Sequence, residues 1–155
     1  FVEFARKVER QMDSSPVETC VIDLRFNGGG NSQVFQPLLS TLGRDYERGR
    51  DYDLYVVIGR GTFSSAILNA VDLREKAGAA LVGEPTAGKP NHYGEIEQIE
   101  LPYMGLALSY STKYFRIVEG DPKTLRPDIR VMWSFEDFTS FRDGAMEAIR
   151  RDASK

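Results

Sequence analysis

Several residue types and patterns are scarce in this sequence, and each absence excludes a class of protein. Cys20 is the only cysteine among 155 residues, so no internal disulfide can form and a zinc site would need other ligands. No run of about 18 apolar residues occurs, so we expect no membrane span in this segment. The 20 lysines and arginines are outnumbered by 23 aspartates and glutamates. That balance disfavours a nucleic-acid partner, because phosphate binding needs a basic face.

The length and composition are typical of one soluble globular domain. Hydrophobic residues make up 41% of the chain and charged residues 28%, ordinary values for such domains. The chain starts with Phe1 rather than methionine, and no signal segment follows it. We therefore expect a processed protein or a piece of a longer one, with upstream domains and any targeting signal missing.

The pattern of apolar residues predicts an α/β domain. The order strand, helix, strand, helix, strand over residues 19–82 predicts a parallel sheet, and a later change to period-2 alternation predicts a hairpin. The predicted helices cover residues 1–12, about 33–43, 64–77 and about 134–150. The predicted strands cover residues 19–26, 54–58, 79–82, 95–101, 106–111 and 126–131, with a loop over 83–94.

A glycine-rich turn follows the first predicted strand. Residues 23–30 read Asp-Leu-Arg-Phe-Asn-Gly-Gly-Gly. Successive glycines let the backbone turn sharply and expose its N–H groups toward a ligand. Gly28, Gly29 and Gly30 are therefore candidate anion-binding residues, although the same sequence suits a plain strand-to-helix turn.

A serine-containing turn follows the second predicted strand. Residues 61–66 read Gly-Thr-Phe-Ser-Ser-Ala, and Ser64 begins the next predicted helix. A serine between a strand and a helix has the placement of an activated nucleophile, and the free N–H groups of the helix suit a developing oxyanion. The alternative is that Thr62, Ser64 or Ser65 only caps the helix.

The loop after the third predicted strand supplies two candidate bases. It contains Lys89 and His92, the only histidine, although an ordinary surface lysine and a backbone-bonded histidine fit the sequence equally. Parallel strands place their carboxyl ends at one edge of the sheet, so all three stretches are expected to meet there. A hydroxyl, a base and an oxyanion cradle are the minimum set for acyl transfer.

These three stretches, in this order, resemble the tail-specific, or C-terminal processing, serine peptidases. Residues 22–30 resemble the family's Asp-Leu-Arg-x-Asn-Gly-Gly-Gly signature, and residues 61–66 resemble its nucleophile turn. Residues 82–89, Val-Gly-Glu-Pro-Thr-Ala-Gly-Lys, resemble the segment with its general-base lysine. Lys89 follows Ser64 by 25 positions, which agrees with the family spacing and selects Ser64 over Ser65. Pro-Asp-Ile-Arg-Val at 127–131 resembles a later strand, so the likeness covers about residues 15–131.

The resemblance implies a fold and a domain. The fold is α/β and crotonase- or Clp-protease-like, a mostly parallel core sheet flanked by helices with an added β-hairpin. Residues 1–155 would form one peptidase-type catalytic domain with a core over about 15–131 and a C-terminal helix over about 134–150. Related peptidases are mostly bacterial and exported, which implies a periplasmic or secreted location, with a cytoplasmic one as the alternative.

The resemblance also implies an activity and a set of site residues. Ser64 would be the nucleophile and Lys89 the base of a Ser–Lys dyad that hydrolyses polypeptides through an acyl-enzyme, without a cofactor or metal. The backbone N–H groups of Gly28, Gly29, Gly30 and Ser65 would bind the oxyanion. A lysine base must be unprotonated, so we expect the Lys89 amine to point into the cleft beside Ser64 and away from carboxylates, where burial lowers its pKa.

Two departures from the family pattern leave a second function open. Ile67 stands where the family has a glutamate three residues after the nucleophile, and Pro90 follows Lys89 where the dyad enzymes continue with glycine. Another branch of the family, the retinoid-binding proteins of the eye, looks like the same fold used to bind a ligand. The alternative is therefore a non-catalytic module that binds a peptide or an apolar ligand. A third hypothesis is an acyl-CoA enzyme of the crotonase type. The sequence shows no basic or adenine-binding feature that would support it.

Overall fold

The chain forms a parallel four-stranded sheet with helices on both faces and a separate β-hairpin. The computed structural model describes residues 1–155. The helices are α1 (Val2–Ser14), α2 (Gln36–Glu47), α3 (Ser65–Ala77), α4 (Phe135–Thr139) and α5 (Gly144–Ala153). The strands are β1 (Thr19–Asp23), β2 (Asp53–Ile58), β3 (Ala80–Gly83), β4 (His92–Leu101), β5 (Leu106–Phe115) and β6 (Ile129–Arg130). The longest helices, α1 and α3, have 13 residues each, and none could cross a bilayer.

The four-stranded sheet confirms the predicted parallel α/β core. Its strand order is β1-β2-β3-β6, and every neighbouring pair is parallel. Asp23 pairs with Val57, and Ile58 pairs with Gly83, so the carboxyl ends of the first three strands lie at one edge. The turns that follow β1 and β2 therefore begin side by side.

Strand β2 is the centre of the core, and its side chains alternate between two apolar layers. Leu54, Val56 and Ile58 pack with residues of α2 and α3 on one face of the sheet. Tyr55 and Val57 pack with residues of α5 on the other face. A strand buried on both faces has few polar side chains, which explains why this segment reads as a continuous apolar run.

Strands β4 and β5 form an antiparallel hairpin that is hydrogen-bonded to no strand of the four-stranded sheet. The predicted hairpin is confirmed and is longer than expected, because the ladder continues to the pair His92–Phe115. Tyr93 and Tyr114 face each other with ring centroids 4.8 Å apart, and aromatic cross-strand pairs stabilise such ladders. Residues 92–94 therefore belong to a strand, and the predicted loop over 83–94 ends earlier.

The C-terminal segment corrects the single predicted helix over 134–150. Ser134 begins α4 with a capping box that it forms with Asp137, but the helix ends after one short turn. Phe141 then adopts a positive φ of 54°, which interrupts a helical backbone. Asp143 starts the second helix, α5, by accepting hydrogen bonds from the backbone N–H groups of Ala145 and Met146.

Other element boundaries move by a few residues. Strand β1 ends at Asp23 rather than residue 26, because the chain turns there toward the glycines. Helix α2 begins at Gln36 and extends to Glu47, with Pro37 in its first turn, where a missing N–H costs nothing. A short 3-10 turn, Ser32–Phe35, precedes it. Helix α3 begins at Ser65, one residue after the predicted start.

Candidate active site

The glycine-rich turn and the serine-containing turn are in contact at the carboxyl edge of the sheet. A Cβ atom placed on Gly29 would lie 2.7 Å from the Ser64 Cβ and 2.9 Å from the Phe63 carbonyl oxygen. Gly29 also adopts a φ of +104°, a backbone conformation that other residues rarely adopt. Glycine is therefore required at this position by both space and backbone geometry.

Ser64 occupies a strained turn between β2 and α3. Its dihedral angles are φ 50° and ψ −124°, those of the first central residue in a type II′ turn, where glycine is usual. Although Ser64 precedes the first residue of α3, its side chain makes no capping hydrogen bond. The helix-cap interpretation of Ser64 is therefore not what the structure shows, and the hydroxyl is left half-buried at the cleft with no partner.

The backbone N–H groups near Ser64 differ in whether they are free. The Gly29 N–H donates to Asn27 Oδ1 at 3.0 Å, so it is occupied. The N–H groups of Gly28 and Gly30 have no acceptor within the chain. Ser65 is the first residue of α3, and the first N–H groups of a helix have no intrahelical partner. Of the four expected oxyanion donors, Gly28, Gly30 and Ser65 therefore keep free N–H groups. The N–H group of Gly29 is occupied, and this residue instead packs closely against Ser64.

Buried hydrogen bonds of Thr62 connect the glycine-rich turn to the serine-containing turn. It is fully buried, and its hydroxyl donates to the Leu24 carbonyl at 2.8 Å and accepts from the Gly59 N–H at 2.9 Å. The Phe63 N–H also donates to the Asn27 carbonyl at 3.0 Å. Thr62 is therefore a cross-link between the ends of β1 and β2 rather than a helix cap.

A cleft of about 830 Å³ opens above Ser64. One wall consists of the glycine-rich turn, the residues after it and the start of α3. The opposite wall is the hairpin. Its residues on the cleft are His92, Tyr93, Gly94, Glu95, Ile96, Ser111, Lys113 and Phe115. A cleft of this size and position, at the carboxyl ends of parallel strands, is where α/β proteins usually bind their ligands.

Lys89 is not in this cleft, and the expected orientation of its side chain is wrong for the structure described. Its Nζ donates to Asp121 Oδ2 at 2.8 Å, and both side chains are about half exposed. The hydrogen bond to the Asp121 carboxylate raises the pKa of Lys89 above its usual value, with further help from the negative charge. The expected fall in pKa required burial, which this surface position does not provide.

The loop that carries Lys89 is held against residues 116–125 by two buried polar side chains. Asn91 donates to the carbonyls of Val118 and Gly120 and accepts two backbone N–H groups through Oδ1. Thr86 Oγ1 accepts from the Leu125 N–H at 3.0 Å and donates to the Gly88 carbonyl at 2.8 Å. These contacts place Lys89 beside Asp121, a partner 32 positions away that local sequence does not reveal.

The structure places His92 on the cleft. Its Nδ1 lies 3.1 Å from the Lys89 carbonyl oxygen and 2.9 Å from that of Pro90. Carbonyl oxygens only accept, so Nδ1 acts as the donor, and the neutral ring then keeps Nε2 as an acceptor. The sequence-based alternative of a histidine bonded to backbone is confirmed.

Two charged residues of the cleft were missed by reasoning from the sequence. Lys113 lines the cleft, pairs with Glu95 at 3.2 Å and lies 4.9 Å from the centre of the Phe115 ring. The alternation along β5 was the available signal, because Lys113 and Phe115 share one face of the strand.

Comparisons with known proteins identify the fold. No protein-family profile and no curated protein matches the chain. The photosystem II D1 C-terminal processing protease superposes with a TM-score of 0.60 at 18% identity, over 84% of this chain and 39% of that one. A protein from Bacteroides fragilis NCTC 9343, provisionally classed as an S41 protease, gives a TM-score of 0.63 at 17% identity, over 89% of this chain and 43% of that one. Tricorn protease superposes with a TM-score of 0.63 at 16% identity, over 89% of this chain and 15% of that one.

These similarities concern the fold and only part of each relative. The chain spans less than half the length of all three proteins. The first of them is named as a C-terminal processing protease, the family that the three stretches of sequence resemble, so that likeness is confirmed at the level of the fold. The chain has the fold of the C-terminal processing and S41-type proteases.

Proposed function

We propose that the chain is the catalytic domain of a serine endopeptidase that acts through an acyl-enzyme on Ser64. The observation that carries the proposal is the unpartnered Ser64 hydroxyl on a strained turn at the cleft. Strained backbone at such a turn is typical of sites where a side chain must be presented to a substrate. The peptidase fold of the structural relatives supports the same activity.

The reaction assigns a role to each group near the cleft. Ser64 Oγ attacks the peptide carbonyl, and a base accepts its proton. The free N–H groups of Gly28, Gly30 and Ser65 hold the negative oxygen of the tetrahedral intermediate. The intermediate collapses to the acyl-enzyme when the base gives its proton to the leaving nitrogen, which departs as an amine. Water then hydrolyses the ester. The substrate is a polypeptide in extended conformation, bound along the hairpin by strand pairing.

We assign the base to Lys89, as a Ser–Lys dyad. Its position 25 residues after Ser64 supports the assignment. In the structure the Lys89 amine is hydrogen-bonded to the Asp121 carboxylate. Catalysis therefore requires that the amine leave this carboxylate, enter the cleft and lose its proton. By the same family likeness, we place the intact protein outside the bacterial cytoplasm.

A non-catalytic binding module is the second candidate. It is favoured by Lys89 lying outside the cleft and by the fully buried Ile67 at the position of the family's glutamate. In that case the cleft would hold a peptide or an apolar ligand without chemistry.

A fluorophosphonate probe distinguishes the two candidates in the intact protein. The endopeptidase requires covalent labelling that Ser64→Ala abolishes. Ser65→Ala is the matched control, because Ser65 is the adjacent serine, is only 7% exposed and is expected to be unreactive. Absence of labelling in the natural protein, together with binding of peptides, would favour the binding module.

A further inference from the structure

Arg25 lies beside both turns of the candidate active site and is held by two carboxylates. Its side chain is only 7% exposed. Nε donates to Asp23 Oδ2 at 2.9 Å, while Nη1 and Nη2 donate to the two oxygens of Asp143 at 3.0 and 2.8 Å. A bidentate contact between arginine and a carboxylate fixes orientation as well as distance.

The backbone of Arg25 contacts the turn that carries Ser64. A Cβ atom placed on Gly61 would lie 2.7 Å from the Arg25 carbonyl oxygen. The carbonyls of Leu24 and Asn27, on either side of Arg25, accept hydrogen bonds from that same turn. A displacement of Arg25 therefore moves the glycine-rich turn and the turn of Ser64 relative to each other.

Asp143 connects this arrangement to the C-terminal helix. Its Oδ1 also accepts hydrogen bonds from the backbone N–H groups of Ala145 and Met146 at the start of α5. Burial alone would raise the pKa of Asp143, but the hydrogen bonds from Arg25 and from the backbone outweigh it and leave the pKa below its usual value. The group is therefore a carboxylate at neutral pH, as the contact with Arg25 requires.

We propose that Asp143 is a positioning residue for the acyl transfer at Ser64, acting through Arg25. It lines no part of the cleft, so it contacts neither the substrate nor the reacting atoms. Its role is to hold Arg25, and with it the spacing between the free N–H groups of Gly28 and Gly30 and the Ser64 hydroxyl. The proposal rests on the peptidase function proposed above. A misplacement of about 1 Å between reacting groups can cost on the order of 100-fold in rate.

Asp143→Asn tests the proposal, because asparagine caps a helix as well as aspartate does. The start of α5 is thus retained, while Arg25 loses the charge and one of two acceptor oxygens. Labelling of the intact protein by a fluorophosphonate is measured at several probe concentrations. We expect the maximal labelling rate to fall about 10- to 100-fold, with the half-saturating probe concentration unchanged.

Arg25→Lys is the second variant and tests the same contact from its other side. It keeps the positive charge but cannot form the bidentate contact, so we expect a loss of similar size. The double variant should lose no more than either single variant, because both changes remove one interaction. Independent, multiplying losses would contradict a shared role.

Asp137→Asn is the matched control. It makes the same chemical change in the same segment and removes an ion pair of 2.7 Å with Arg142, but Asp137 has no contact with either turn. Its labelling rate should equal that of the natural protein. If Asp143→Asn also labels at the natural rate while Ser64→Ala does not label, the positioning role is wrong and the peptidase function stands. If Ser64→Ala still labels, the proposed function itself is wrong.

Discussion

The strained backbone at Ser64 predicts that removal of its side chain stabilises the protein. A residue other than glycine at φ 50° and ψ −124° costs on the order of 1–3 kcal/mol, whereas glycine adopts positive φ freely. Ser64→Gly removes this cost, but glycine also increases the entropy of the unfolded chain, which costs about 0.4–1 kcal/mol relative to alanine. The Ser64 hydroxyl makes no hydrogen bond whose loss would offset the gain.

The expected difference is therefore between Ser64→Gly and Ser64→Ala, neither of which has a hydroxyl. We expect the free energy of unfolding of the glycine variant to exceed that of the alanine variant by about 1–2 kcal/mol. For a chain of this size, that difference corresponds to an increase in Tm of about 3–6 °C. Urea titration followed by circular dichroism measures the first quantity, and a thermal scan measures the second.

The same pair of substitutions at Ser40 provides the control. Ser40 is exposed within α2, where glycine is about 1 kcal/mol less favourable than alanine, so the order of the two variants should reverse. If Ser64→Gly is as stable as Ser64→Ala, or less stable, the turn is not strained. The structural argument for a presented nucleophile would then lose its basis.

Three further predictions concern neighbouring residues. The proposed base must be unprotonated, so activity should rise as the pH approaches the raised pKa of Lys89. Asp121→Asn removes the main cause of that raised pKa, so the rise in activity should begin at lower pH, whereas Glu119→Gln, on the same segment, should leave the pH profile unchanged. Gly29→Ala should slow fluorophosphonate labelling at least about 10-fold, because the alanine Cβ would collide with the turn that carries Ser64. A variant that labels as fast as the natural protein would show that the two turns are not in contact. Of the two tautomers of the unprotonated ring of His92, the only histidine, ¹⁵N spectra should show the one with hydrogen on Nδ1, and the opposite tautomer would contradict its backbone contacts.

The parts of the site that could be predicted from the sequence depend on local rules. Apolar runs and intervening helices predict parallel strands, and parallel strands necessarily end at one edge. Gly29 and Ser64 each lie six residues after one of those ends, so the closeness of their two turns follows from topology. The resemblance of the motifs to a peptidase family then predicted the fold that the structure shows.

The parts that could not be predicted depend on partners far away in the chain. Lys89 was expected in the cleft, but it pairs with Asp121, which a separate segment brings alongside. The C-terminal helix was expected to be continuous, but Asp143 begins a new helix and contacts Arg25, 118 positions earlier. Neither contact has a signal in hydrophobic periodicity, because both are made by side chains on irregular segments.

The two walls of the cleft belong to two different sheets. Ser64 and the glycine-rich turn lie at the edge of the parallel sheet, where Thr62 ties them together. The hairpin opposite shares no strand pairing with that sheet. Exchanging Ile96 or Lys113 therefore alters which ligands fit the cleft without breaking a hydrogen bond at the nucleophile. Under the proposed function, reactivity and selectivity would be encoded in separate stretches of the chain, so that natural variation or protein engineering could change one while leaving the other intact.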